Sequence, residues 1–391
     1  MASWIPGARP RHPAPSGDLA LVLSGGGARA AYQAGVLAGL AERLPKLRPT
    51  IFSGVSAGAI NATFLAAHPG RFADACADLV GLWKRLTMDQ VFESDLRSMA
   101  SYFARWGVRL ASGGVRAGRR VRSLVDTTPL HRFLARHLEG SDGTITGIRD
   151  NLRAGRIRAV TLTTLNYGTG ETVVWVQGAS APTWRRARRI SVRARLAVAH
   201  VMASSALPLV FPAIRLAGGW HGDGGIRLTA PFSPALKLGA DRILAVSTRY
   251  VPPEDERPES VIHGYPPPAQ IAGQMLNAVF LDQFDEDALK LERINALCRA
   301  CDASAELGFR VVDTVVQRPS EDLARLAAGH ERELPRPFRF ATRGLGTRET
   351  ESPDFLAMLL FLPEYLRTLL EVGERDAAGR AESVGRLLGL D

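Results

Sequence analysis

The chain has 391 residues, of which 46% are hydrophobic and 23% charged, and its net charge is +10. That size and composition allow a large buried core and exclude a disordered tract or a disulfide-stapled miniprotein. Three cysteines are too few for a disulfide framework and fit a reducing, cytoplasmic setting. The longest apolar run, Phe355 to Leu362, falls far short of the ~20 residues of a membrane span.

The first 17 residues carry prolines at 6, 10, 13 and 15 and no apolar run, so they read as a disordered leader rather than a secretory signal. Leu19 to Leu23 then reads as a buried strand. Three glycines, Gly25, Gly26 and Gly27, lead into a helix expected over Ala28 to Leu44 and stopped by Pro45. Thr50 to Ser53 is a second short strand, followed through Gly54 by a helix over Ala57 to Ala67. Two successive strand–glycine–helix units predict a parallel sheet with crossover helices.

Farther on, Phe72 to Leu86 is expected to be helical and Met88 to Arg122 irregular. Thr128 and Pro129 open a helix over Leu130 to Leu138. Strands are expected at Ile157 to Leu165, Glu171 to Val176, Ile214 to Leu216, Arg242 to Ser247 and Phe309 to Val316. Helices are expected at Leu196 to Leu207 and Ile271 to Cys301, with a loop over Val251 to Gln270. An amphipathic helical tail is expected over Phe355 to Leu388. The division is a leader (1–17), a core carrying the chemistry (18–233), and a continuation of that core with a helical C-terminal extension (234–391).

Basic residues are nearly all arginine, with only four lysines among 49. Two acid-free runs, Arg105 to Arg122 and Arg185 to Arg195, would attract anionic lipid or nucleic acid. No nucleic-acid module accompanies them, so no nucleic-acid partner is expected. Cys298 and Cys301 form a lone CxxC, which reads as two helical neighbours one turn apart. No second pair completes a four-ligand metal site, and neither metal nor cofactor is implied.

Gly54-Val55-Ser56-Ala57-Gly58 fits G-x-S-x-G between an apolar strand and a helix, the context a nucleophile elbow requires. The sharp turn exposes the Ser56 hydroxyl, and the helix start aims N–H groups at the reacting centre. The earlier Ser24-Gly25-Gly26-Gly27-Ala28-Arg29 also joins strand to helix. It lacks the sixth-position glycine of a dinucleotide fingerprint, because Ala30 stands there, and it lacks the Gly-Lys-Ser/Thr of a phosphate-binding loop. Its converging N–H groups suit an oxyanion instead. None of the eight histidines sits in a pattern that supplies a base. Asp223-Gly224-Gly225 places a carboxylate in a glycine-rich turn after an apolar strand.

In this order GGGAR, GVSAG and DGG resemble the patatin-like phospholipase family, and Ala203 to Pro208 through Phe211-Pro212 resembles the stretch preceding its aspartate turn. Ala30 departs from the glycine usual there. The resemblance implies an α/β fold with a mainly parallel central sheet, helices on both faces and a helical C-terminal extension. It also implies a Ser56–Asp223 dyad without histidine, and an oxyanion hole from Gly25, Gly26, Gly27 and Ala57. Arg29, Gly54, Gly58, Gly224 and Gly225 would support the site. The implied activity is hydrolysis of carboxylic esters of phospholipids or other acyl lipids, of phospholipase A or lysophospholipase type, with peripheral contact to anionic membranes. If Trp184 and the arginines after it border the active-site mouth, they would meet lipid phosphates. The competing readings are a catalytically silent lipid- or partner-binding module and an esterase or thioesterase for soluble acyl compounds.

Overall fold

The computed structural model describes residues 17–93, 123–179, 181–252, 267–280, 282–300, 307–334, 339 and 354–390. A ten-stranded mixed sheet organises them. Its strands are β1 (Leu19–Leu23), β2 (Ile51–Val55), β3 (Ala159–Asn166), β4 (Thr172–Gly178), β5 (Arg185–Arg186), β6 (Arg189–Arg193), β7 (Ile214–Leu216), β8 (Gly219–Asp223), β9 (Arg242–Val246) and β10 (Asp313–Gln317). The order is β10-β9-β1-β2-β3-β4-β6-β5, with β8 on β3 and β7 on β8. The run from β10 through β9, β1 and β2 to β3 is parallel throughout.

The helices are α1 (Ala31–Arg43), α2 (Ala57–Ala67), α3 (Phe72–Arg85), α4 (Met88–Val91), α5 (Thr128–Leu138), α6 (Thr146–Arg153), α7 (Val198–Ser204), α8 (Ser233–Lys237), α9 (Pro268–Phe280), α10 (Asp282–Ala300), α11 (Leu323–His330), α12 (Asp354–Leu359) and α13 (Pro363–Leu388). They cover both faces, as a buried parallel sheet demands. The two-residue alternation of the strands divides the apolar side chains between two cores. Leu19, Leu21 and Leu23 face one core with α1, α2, α3 and α13, while Ala20 and Val22 face the other with α8 and α10.

Strands β9 and β10, late in the chain, extend the sheet beside β1. Helix α13 lies on α1 at a spacing set by glycine: a Cβ on Gly35 would stand 2.1 Å from the Leu370 carbonyl oxygen, and one on Gly373 2.4 Å from that of Tyr32. Among the described residues no helix is long and apolar enough to cross a membrane.

Several boundaries differ from the sequence reading. The first helix starts at Ala31, because Gly26 and Gly27 take positive φ (142° and 58°) and the chain enters through a 3-10 turn at Gly27–Ala30. The stretch from Met88 opens as the short α4, closed at its start by reciprocal hydrogen bonds between Thr87 and Gln90. Helix α5 begins at Thr128, one residue past its cap, Thr127. Helix α7 is shorter than expected and gives way to turns at Ser205. The late strand begins at Asp313. The tail is two helices, since Pro363 has no N–H with which to continue the first. The leader up to residue 16, the run Arg105 to Arg122 and Cys301 lie outside the described residues.

Candidate active site

The register of three strands brings Ser56 and Asp223 together. Strand β2 pairs with β3 as far as Val55 opposite Thr163, and there β2 ends. Strand β8 takes the next position on β3, with Asp223 opposite Thr164. The last residue of β8 therefore lies beside the first residue after β2, which is Ser56.

Ser56 has φ 55° and ψ −133°, a conformation costing a non-glycine residue roughly 1–3 kcal/mol. The fold pins it there. The Ser56 N–H donates to Ser204 Oγ (3.1 Å), which itself donates to the Thr163 carbonyl (2.7 Å). Ser205 Oγ donates to the Ser56 carbonyl (3.0 Å). One residue later, the Ala206 carbonyl accepts the Asp223 N–H (3.0 Å). Three consecutive residues thus hold the backbones of both Ser56 and Asp223. Gly54 and Gly58 let the elbow close, since a Cβ on Gly58 would stand 2.3 Å from the Ser24 carbonyl oxygen.

Asp223 is fully buried. Its Oδ1 accepts the Gly225 N–H (2.8 Å), while Oδ2 has no hydrogen-bond partner among the described residues. Burial pushes its carboxyl up to about 7, partly offset by the Ser56 hydroxyl and the Gly225 N–H. Gly224 seats this turn against β3, where a Cβ would stand 2.2 Å from the Thr163 carbonyl oxygen.

The glycine loop has its carbonyls tied back. Gln33 Nε2 donates to the Ser24 carbonyl (2.9 Å), Thr248 Oγ1 to that of Gly25 (2.8 Å) and the Arg29 N–H to that of Gly26 (3.2 Å). Asn61 bridges Gln33 and the Ala30 carbonyl. No described acceptor takes the N–H groups of Gly25, Gly26, Gly27 or Ala57. Gly25 packs against Ser56, with a Cβ there 3.0 Å from that of the serine. Arg29 is buried in an ion pair with Asp354 (2.9 Å) and reaches Asn277 (3.4 Å). It ties the loop to α9 and α12 and does not line the cavity described next.

Gly26, Gly27, Ser56, Ala57 and Ser205 form the polar end of a cavity of about 950 Å³ including its mouth. The remainder is apolar apart from His137: Ile60 and Phe64 from α2, Leu79 and Trp83 from α3, Leu130 and Leu134 from α5, then Phe211, Met358 and Phe361. His221 and His200 are held by other partners. His221 Nδ1 is 3.0 Å from Thr164 Oγ1, and His200 Nδ1 accepts the Ala197 N–H (3.1 Å). Burial lowers the pKa of both, that of His200 to about 4. Among the described residues no His, Cys, Asp or Glu cluster could hold a metal ion.

The model of the family described as patatin-like phospholipase matches residues 21–236, more than half the chain. This chain belongs to the patatin-like phospholipase family. No curated protein matches it. Among solved structures it is similar to human GIVD cytosolic phospholipase A2 in complex with methyl gamma-linolenyl fluorophosphonate inhibitor and terbium chloride: 17% identity, 95% of this chain and 59% of that one, TM-score 0.44. It is also similar to VipD from Legionella pneumophila: 14% identity, 90% and 67%, TM-score 0.33. A third is the type III effector ExoU of Pseudomonas aeruginosa: 16% identity, 94% and 53%, TM-score 0.35. The chain thus spans from about half to two thirds of the length of these three structures.

In this patatin-like chain the sequence reading singled out the two glycine motifs and the aspartate turn, and the fold gathers all three. It assigned no role to Ser204, Ser205, Thr248 or Asp354. The serine pair stood in the stretch that carried the resemblance, but which backbone it would hold depends on strand pairing. The Arg185 to Arg195 run is not at the cavity: it forms the hairpin β5–β6, and neither its residues nor Trp184 lines the space beside Ser56.

Proposed function

We propose that the protein is a serine lipid acyl hydrolase in which Ser56 attacks a carboxylic ester and Asp223 is the base. The observation that carries this is a serine in a strained elbow, facing a buried carboxyl poised near pH 7, at the polar end of an otherwise apolar cavity. A base tuned to the working pH is the most effective proton acceptor, and an unpaired Oδ2 has a free lone pair for the Ser56 proton.

In the proposed reaction the ester's acyl chain fills the apolar cavity. Ser56 Oγ attacks the carbonyl carbon as Asp223 takes its proton. Negative charge on the carbonyl oxygen meets the N–H groups of Gly26, Gly27 and Ala57, each such donor being worth roughly 3–4 kcal/mol. Asp223 returns the proton to the departing alcohol, leaving an acyl-enzyme. Water then attacks the acyl carbon as Asp223 takes its proton, and Asp223 passes that proton to Ser56 Oγ as the acyl–oxygen bond breaks and the fatty acid leaves. Gly25 is the spacer that lets the loop approach Ser56, and Arg29 anchors that loop.

The cavity favours long acyl chains over the small soluble esters of the competing reading, and the intact dyad disfavours a silent binding module. The test is hydrolysis of a panel of phospholipids, lysophospholipids and short soluble esters, combined with fluorophosphonate labelling. The expected result is labelling and long-chain hydrolysis in the wild type and neither in Ser56→Ala. Equal labelling of both proteins would remove Ser56 from the mechanism. Hydrolysis confined to short esters would remove the lipid assignment.

A further inference from the structure

On the sheet face opposite the apolar cavity lies a second concavity, a groove of about 2270 Å³ open to solvent. The hairpin β5–β6 contributes Arg185, Arg186, Arg188 and Arg189, and Arg227, Lys237 and Arg310 complete its cations. No described residue lining it is acidic. At its edges Glu171 lies 3.6 Å from Arg185 and Asp241 3.6 Å from Arg310. Arg186, Arg188 and Arg227 form no ion pair with any described carboxylate. The groove shares no lining residue with the apolar cavity.

The cations are built in rather than scattered. Arg227 donates to the Gly170 carbonyl (2.8 Å), and Arg189, itself buried, donates to Thr229 Oγ1 (2.7 Å). These neutral acceptors fix the guanidinium groups without cancelling their charge. Burial and nearby Arg186 both disfavour the charged form of Arg189, and Asp287 opposes them only in part. The hairpin turn places Arg188 at φ 58°, where glycine or asparagine is the ordinary occupant. Both the strain and the crowding of like charge cost stability, and an anion seated among these groups would recover the second.

The exposed Arg185, Arg186 and Arg188 stand at the rim, with half-buried Arg227, Lys237 and Arg310 farther in. A flat lipid surface meets only a rim, whereas a discrete ligand reaches both levels. Arg185 and Arg310 already face Glu171 and Asp241, which leaves Arg186, Arg188 and Arg227 without a described carboxylate and Arg189 only partly compensated. A single carboxylate or phosphate ester brings at most about two charges, too few for these guanidinium groups. We propose that this groove binds a small soluble anion carrying two or more phosphates, at a site separate from the ester-hydrolysing centre.

The test is calorimetric titration of the full chain with inorganic tripolyphosphate at low salt, alongside sedimentation with vesicles containing phosphatidylserine. One saturable site is expected, weakened by added salt. It should weaken at least tenfold in Arg186→Ala/Arg188→Gly and stay unchanged in Ser56→Ala. The double variant removes two exposed side chains, and the glycine relieves the positive φ, so its melting temperature should match or exceed the wild type. Absence of saturable binding overturns the proposal, as does equal affinity in the double variant. Vesicle binding that tripolyphosphate does not displace, but that the double variant loses, would reassign the groove to a membrane surface and overturn it too.

Discussion

Two buried carboxylates, Asp223 and Asp354, have been given opposite surroundings. Asp354 meets the Arg29 guanidinium at 2.9 Å in a pair with 3% and 9% side-chain exposure. Burial raises its pKa, but Arg29 and the amide of Asn277 draw it back. Among the described residues Asp223 has no cation beside it; the one hydrogen bond to its carboxylate comes from the Gly225 N–H, the Ser56 hydroxyl is its polar neighbour, and its carboxyl reaches about 7. The lesson is that burial supplies the upward push in both places, and the partner decides what the residue becomes. With a guanidinium it is a structural tie; without one its carboxyl titrates near neutrality, as the proposed base requires.

The sharpest way to break this comparison is Asp223→Asn. Removing a general base is expected to cut kcat/KM for a long-chain ester roughly 10²–10⁴-fold, with the fold retained by circular dichroism. Activity within a few-fold of wild type would exclude Asp223 as the base. Arg29→Met is the next largest effect. It leaves Asp354 buried and unpaired, and should cost about 3–5 kcal/mol in denaturant unfolding. Arg29→Met/Asp354→Leu should recover most of that, because the tie is replaced by apolar packing.

The pH dependence tests the same contrast. A carboxyl raised on folding keeps its proton between the unfolded value near 4 and about 7, while the unfolded chain has released it. The folded state binds more protons in that window, so stability falls as pH rises through it and levels off above. Asp223→Asn should therefore be more stable than wild type at pH 8, by up to about 4 kcal/mol, and nearly equal to it at pH 4. Wild-type kcat/KM should run the other way, rising to a plateau as pH passes about 7. The smallest effect belongs to Ser205→Ala, which loses one hydrogen bond to the Ser56 carbonyl. It should cost about 1 kcal/mol of stability and lower kcat more than it raises KM.

How much of this was legible in the sequence follows from how local each feature is. The elbow at Ser56 and the loop at Gly25 to Gly27 are short strand-to-helix turns, whose chemistry lies within a few residues. The aspartate turn was legible as a turn, but its place beside Ser56 depends on β8 taking the stretch of β3 that β2 leaves vacant. Nothing in residues 219–223 announces that pairing. The cavity was not legible for a different reason. Leu79, Trp83, Leu130 and Leu134 recur at helical spacing in α3 and α5, and apolar residues lining a void have the same periodicity as residues filling a core. The loss of the first helical turn at Gly27 was likewise hidden, because positive φ belongs to the backbone and glycine merely permits it.

The packing of α13 on α1 has a consequence for the protein's birth. Strands β9 and β10 and helix α13 complete the scaffold behind Ser56, and all are translated after both Ser56 and Asp223. At roughly 5–20 residues per second, the interval between synthesis of Asp223 and of Leu388 is on the order of ten to thirty seconds. Throughout that time the nascent chain carries Ser56 without the helix against which α1, the helix after the glycine loop, is wedged. The order of the elements along the chain thus works as a delay: the scaffold around Ser56 is completed only after α13 has been made.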